Sequence, residues 1–175
     1  MTPTIRGLRC LLLLQVPFAA SPAEADAAAC QSVMVSMVRL TETPSHQLMN
    51  RVLPGMAPKQ SEVVITGKTM FILIRGGHWV TMPYNAQQKV AEMKRKFADS
   101  RAAAEVSCTR VRTEAVDGEP TTVYVMHDDT EADKVDVHVW ISAVRGLPLR
   151  QVVEMPELKS HTDVRFDCVN VQAPH

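Results

Sequence analysis

Val135-Asp136-Val137-His138-Val139-Trp140-Ile141-Ser142 is the stretch that decides the fold. Val135, Val137, Val139 and Ile141 recur at every second position, with Asp136, His138, Trp140 and Ser142 between them. A period of two belongs to an extended strand with one apolar and one polar face. Antiparallel sheets covered on one side produce this alternation, whereas parallel sheets, buried on both faces, read as unbroken apolar runs. Arg145-Gly146 turns the chain, and a second strand follows over 147–155.

Further strands lie on either side of this pair. Toward the C-terminus, 162–171 places Val164, Phe166 and Cys168 on one face and Asp163, Arg165 and Asp167 on the other. Toward the N-terminus, 109–116 and 121–127 flank Asp117-Gly118, a strong hairpin turn. An acidic loop covers 128–133. Earlier still, strands at 46–53, 62–66, 69–74 and 78–82 are punctuated by Pro54-Gly55, Gly67-Lys68 and Gly76-Gly77. Two helices interrupt the strands. One spans 30–42, with Val33, Met34, Met37, Val38 and Leu40 at helical spacing and Thr43-Pro44 as its stop. The other spans 85–104, with Val90, Met93, Phe97 and Ala98 as its apolar stripe. Its cations, Lys89, Lys94, Arg95, Lys96 and Arg101, read as a solvated face.

The fold expected is therefore α+β and mainly β, with about nine antiparallel strands and two helices. Two helices cover little of so large a sheet. A sheet that curls around them, leaving part of its concave face open, resolves the mismatch; a sandwich or a closed barrel satisfies the same count.

The first 25 residues read as a secretory signal peptide. Arg6 and Arg9 form a basic region, and residues 10–20 form an apolar run too short to span a bilayer. Small-x-small sites place cleavage after Ala25 or after Ala27. Residues 26–175 then form a single exported, periplasmic domain. An alternative is a lipoprotein anchored at Cys30, although its preceding Ala27-Ala28-Ala29 lacks the usual leucine.

Of four cysteines, Cys10 leaves with the leader. Cys168 sits on the apolar face of its strand and reads as a small hydrophobe. A disulfide between Cys30 and Cys108 is expected in an oxidising compartment, tying the first helix to the sheet.

The formal charge is zero over 175 residues, which argues against nucleic acid or an anionic membrane as partner. His127-Asp128-Asp129, with Glu131 and Asp133, has neither zinc spacing nor the order of a calcium loop. There is no Gly-x-Ser-x-Gly and no phosphate-binding glycine loop. The chain is read as a non-enzyme that uses no cofactor and no metal.

Val139-Trp140-Ile141-Ser142, leading through a turn to Gly146-Leu147-Pro148-Leu149-Arg150, resembles the W-I-x…G-L-P-x-R hairpin of LolA-type bacterial envelope proteins. Thr43-Pro44-Ser45-His46 and Asn170-Val171-Gln172-Ala173-Pro174 add to the likeness. The resemblance implies a half-barrel with helices across its concave side, and a periplasmic binder or carrier of a lipid, an acylated lipoprotein or another hydrophobic ligand. An envelope sensor or regulatory module built on the same half-barrel is the alternative, with a membrane protein or lipoprotein as partner. The chain is expected to be a monomer. Met34, Met37, Phe71, Leu73, Val80, Val125, Val139 and Phe166 are the expected lining of the apolar cavity, with ordinary core packing as the competing use of each.

Overall fold

The computed structural model describes residues 22–74, 76–129 and 134–174, with side chains from Asp26 onward. The expected leader over 1–25 lies largely outside the described residues. Among the described residues the chain forms nine strands and two helices, in the order α1 (Pro22–Glu42), β1 (Ser45–Val52), β2 (Lys59–Thr66), β3 (Thr69–Ile74), β4 (His78–Pro83), α2 (Ala86–Ala102), β5 (Val106–Val116), β6 (Glu119–Asp128), β7 (Val135–Ser142), β8 (Pro148–Met155) and β9 (Ser160–Asp167). All nine strands join one antiparallel sheet in the order β4-β3-β2-β1-β9-β8-β7-β6-β5. The sheet is unclosed, with β4 and β5 at its edges. This is the curved half-barrel rather than the sandwich or the closed barrel.

The element boundaries differ from expectation in three instructive places. Helix α1 starts at Pro22 instead of residue 30, because Pro suits a first helical position and the alanines that follow are the strongest helix formers. Strand β5 begins at Val106 rather than 109, since the Cys30–Cys108 disulfide and the Asp26 carboxylate fix its first residues. Strand β9 ends at Asp167, so Cys168 lies just beyond it. There Cys168 is free and half-buried against Leu40, Val164 and Phe166.

Both helices lie on one side of the sheet. Helix α1 crosses β5 to β8 and ends over β9. Its buried stripe is Ala29, Cys30, Val33 and Leu40, spaced by three, four and seven residues. Val33 packs on Val137, Val139 and Ile141, and Leu40 packs on Val164 and Phe166. Fully burying one such side chain contributes about 1.5–3 kcal/mol. Helix α2 starts on Asn85, whose side chain accepts from the Gln88 N–H. It packs against α1 and β5, with Phe97 beside the disulfide.

The Cys30–Cys108 disulfide links residues 78 apart and anchors α1 to β5. Asp26 reinforces that anchor, accepting from the Cys108 N–H at 2.5 Å and from Arg101 at 2.6 Å. Burial opposes ionisation of Asp26, but the Cys108 and Arg101 donors outweigh it and hold the carboxyl below its ordinary range.

The opposite, convex face carries a second small core, where Val123, Trp140 and Val152 are buried with Val116 against them. Trp140 was expected on a polar face, yet it is only 5% exposed. The cause is the long β5–β6 hairpin. A bulge between Arg110 and Arg112 bends it, and it curls across the convex side. Glu114 on β5 accepts from the Trp140 indole N–H on β7. Asp117 at the hairpin tip reaches Arg165 on β9 at 3.4 Å.

Candidate functional site

Of the W-I-x…G-L-P-x-R residues, Trp140 and Arg150 meet on this convex side, while Ile141, Gly146 and Leu147 turn toward α1 on the concave side. Trp140 and Arg150 are register partners on β7 and β8, and the Arg150 guanidinium lies 4.8 Å above the indole ring. Asp163 holds that guanidinium with two hydrogen bonds, at 2.6 and 3.1 Å. Gly146 adopts φ +64, and a Cβ there would collide with the Arg39 side chain of α1. Arg145 pairs with Glu119 at 2.7 Å. The hairpin that carries the resemblance is therefore a brace for the sheet.

The candidate site is a cavity of about 430 Å³ on the concave face, where α1 ends over the junction of β1, β9 and β8. That volume lies within the usual small-molecule range of about 300–1,000 Å³. Met37, Leu40 and Thr41 form its helical wall. Gln47, Met49 and Arg51 come from β1, Gln151, Val153 and Met155 from β8, and Thr162, Val164 and Phe166 from β9. Each triplet alternates along its strand, as side chains on one face must. Tyr84 completes the lining: its hydroxyl donates to the Thr41 carbonyl at 2.9 Å and ties the end of α1 to the segment after β4. Burial raises the Tyr84 pKa, so the phenol stays protonated and keeps donating. Arg51 is the one cation in an otherwise neutral lining.

Beyond the cavity, no helix among the described residues lies over the concave face of β2 to β4. The registers put Ile72 opposite Val80 and Met70 opposite Met82 on the same side as Met49. Val80 and Met82 are 40% and 43% exposed. The cavity thus opens onto an apolar wing. The convex side of these strands is different: Val64 and Trp79 there face Val169, Val171 and Pro174 of the C-terminal segment.

Of the eight expected lining residues, Met37 and Phe166 line the cavity. Val139 is on the concave side but packed under Val33, Met34 lies on α1 away from the cavity, and Val80 lies on the open wing. Phe71, Leu73 and Val125 face the convex side, opposite the cavity. Phe71 pairs with Thr81, and Leu73 with Trp79, so neither shares a face with Val80. Val125 shares its face with Val123 and pairs with His138. Sequence reasoning missed Met49, Arg51, Tyr84, Val153 and Met155. The available signal was the alternation of Gln47, Met49 and Arg51 in the first strand.

Comparisons with known proteins bear on the fold. No family model and no curated protein matches the chain. The structure of the MucA/MucB complex of Pseudomonas aeruginosa matches with a TM-score of 0.56 at 15% identity, over 83% of this chain and 59% of that one. A structure of MucB in complex with periplasmic MucA matches with a TM-score of 0.53 at 13% identity, over 84% and 57%. The chain thus spans less than two thirds of the length of these structures. A LolA superfamily protein of Nitrosomonas europaea aligns over 84% of this chain and 95% of its own at 8% identity, with a TM-score of 0.28. At such identities the likeness is one of architecture: this chain shares with the MucB structures a curved half-barrel, open at both edges and, among the described residues, roofed by helices over only part of its concave side.

Proposed function

We propose that this chain is a periplasmic binder or carrier of a lipid or other ligand with an acyl chain, held in the cavity at the end of α1. One observation carries the reading: an apolar cavity stays open on the concave side and continues onto uncovered apolar strands. Burying an acyl chain contributes about 0.8 kcal/mol per methylene. Some eight methylenes would give roughly 6 kcal/mol before the costs of association. The Cys30–Cys108 disulfide supports an oxidising, exported setting. No described helix is long and apolar enough to cross a membrane.

The test is native mass spectrometry of the protein purified from the periplasm, followed by thermal melts with added acyl ligand. A bound acyl species near one to one is expected. Ligand at a hundred times its Kd adds about 2.7 kcal/mol, or roughly 5–10 °C in a domain of this size. Met49→Trp fills the cavity mouth and should abolish that rise with little change in the unliganded melt. A ligand-free mass together with no rise for any acyl ligand overturns the proposal.

A second reading has its own support. Strand β4 is an edge strand without an acid, lysine or arginine, whereas exposed edges are usually protected by charge. MucB, which shares the fold, was solved in complex with MucA. An envelope regulatory module that pairs β4 with a strand of a membrane protein or lipoprotein would use this edge. A photo-crosslinker at Thr81 that captures one envelope protein, in cells where no acyl ligand co-purifies, would favour it.

A further inference from the structure

Arg51 and Lys59 stand directly opposite one another in the β1–β2 ladder. Register puts both on the concave face, and Arg51 lines the cavity. Like charges facing each other across a ladder destabilise it, and a nearby carboxylate is the usual relief. None is at hand. The row continues through Thr162 of β9 to Val153 of β8, and the next pair is Met49 with Ser61. The 53–58 turn that joins β1 to β2 contains no acid. The 156–159 turn between β8 and β9 supplies Glu157, together with Lys159. Among the described residues neither the Arg51 nor the Lys59 side chain has a hydrogen bond or ion pair. Elsewhere on the sheet Arg112, Arg150 and Arg165 each face a carboxylate.

We infer that Arg51 and Lys59 form a headgroup site for an anionic single-chain amphiphile whose tail lies along Met49, Phe166 and Leu40. The inference rests on the acyl-binding reading above and narrows it to a ligand class. A planar guanidinium grips a carboxylate or phosphate with two parallel hydrogen bonds, and an ammonium adds a compact second charge. From Arg51 to Gln47 the cavity floor runs about 13 Å along β1 at ~3.3 Å per residue. A head held at the strand ends therefore leaves the tail on the apolar floor. The bound anion also removes the repulsion between the two cations, so its binding strengthens the β1–β2 ladder.

The experiment compares dodecanoate with 1-dodecanol, both below their aggregation limits, and with acetate, by calorimetric titration of the mature disulfide-bonded protein at low ionic strength. Dodecanoate should bind about tenfold or more tighter than dodecanol, a gap equivalent to roughly 1.4 kcal/mol, and the gap should shrink as salt is raised. Acetate should not bind measurably, because the tail supplies the affinity. In R51Q/K59Q the gap should fall to within about twofold, with dodecanol binding retained. That variant relieves a like-charge pair at the surface, so it should melt no lower than the parent. Equal affinity for dodecanoate and dodecanol overturns the headgroup site and leaves the acyl-binding reading intact. Acetate binding as tightly as dodecanoate also overturns the amphiphile. Binding of none of the three overturns both.

Discussion

The two faces of the sheet are built to opposite ends. On the convex face two segments pack over the strands: the curled β5–β6 hairpin lies over β7 to β9, and the C-terminal segment shares a pocket with strands of the other half. The polar groups there are paired into Trp140–Glu114, Arg150–Asp163 and Arg145–Glu119. On the concave face α1 and α2 cover the half built from β5 to β9, and among the described residues nothing comparable lies over β2 to β4. Closed surfaces stabilise and open ones bind. Substitutions on the convex side should therefore change stability without changing ligand affinity, and those in the cavity should do the reverse.

The strongest challenge to that division is Trp140→Ala, which removes the largest side chain of the convex core. It should cost about 3–5 kcal/mol in urea unfolding and leave acyl-ligand affinity within about twofold. A large loss of affinity in the folded variant would show that the faces are coupled. Replacing Cys30 and Cys108 together by alanine should cost about 2–4 kcal/mol. Because it frees the N-terminal half of α1, it should also weaken ligand binding more than Trp140→Ala does. Arg150→Lys keeps the charge but loses the stacked, two-bond geometry with Asp163. About 1 kcal/mol of stability should go, again without effect on the ligand.

The smallest effect is a pH dependence. Asp26 titrates below its ordinary value in the folded protein, so its contribution is complete above about pH 4 and is lost as the pH falls through the lowered folded value. The difference in urea stability between the parent and Asp26→Asn should be largest at neutral pH and shrink as the pH is lowered below about 4. A chain beginning at Ala28 should lack this increment, while one beginning at Asp26 should retain it.

The strands were legible because their breaks are chemical. Gly55, Gly67, Gly76 and Gly118 all adopt positive φ where the turns were read. The Cys30–Cys108 pairing was legible because Cys168 alternates with charged residues near the end of the sheet. Faces were harder to read. Met70-Phe71-Ile72-Leu73 is apolar at every position, so period two gives no side, and Phe71 and Leu73 turned out opposite to Val80. Trp140 was misread for another reason. Its partner Glu114 is 26 residues away and meets it only because the hairpin bends at Val111. The Arg51–Lys59 pair depends on the β1–β2 register, which a six-residue turn does not announce.

The pairing of β1 with β9 has a consequence for how the molecule comes into being. Strands β1 to β4 are one meander and β5 to β9 another, and the seam between them joins the first strand made to the last. A chain threaded through a membrane from its N-terminus would deliver β1 long before β9. Until β9 arrives, β1 is a raw edge and the first meander has neither roof nor neighbour. Such late, distant closure is slow and leaves sticky surface exposed. A chain of this topology should therefore depend on chaperones during the interval in which its sheet is still two halves.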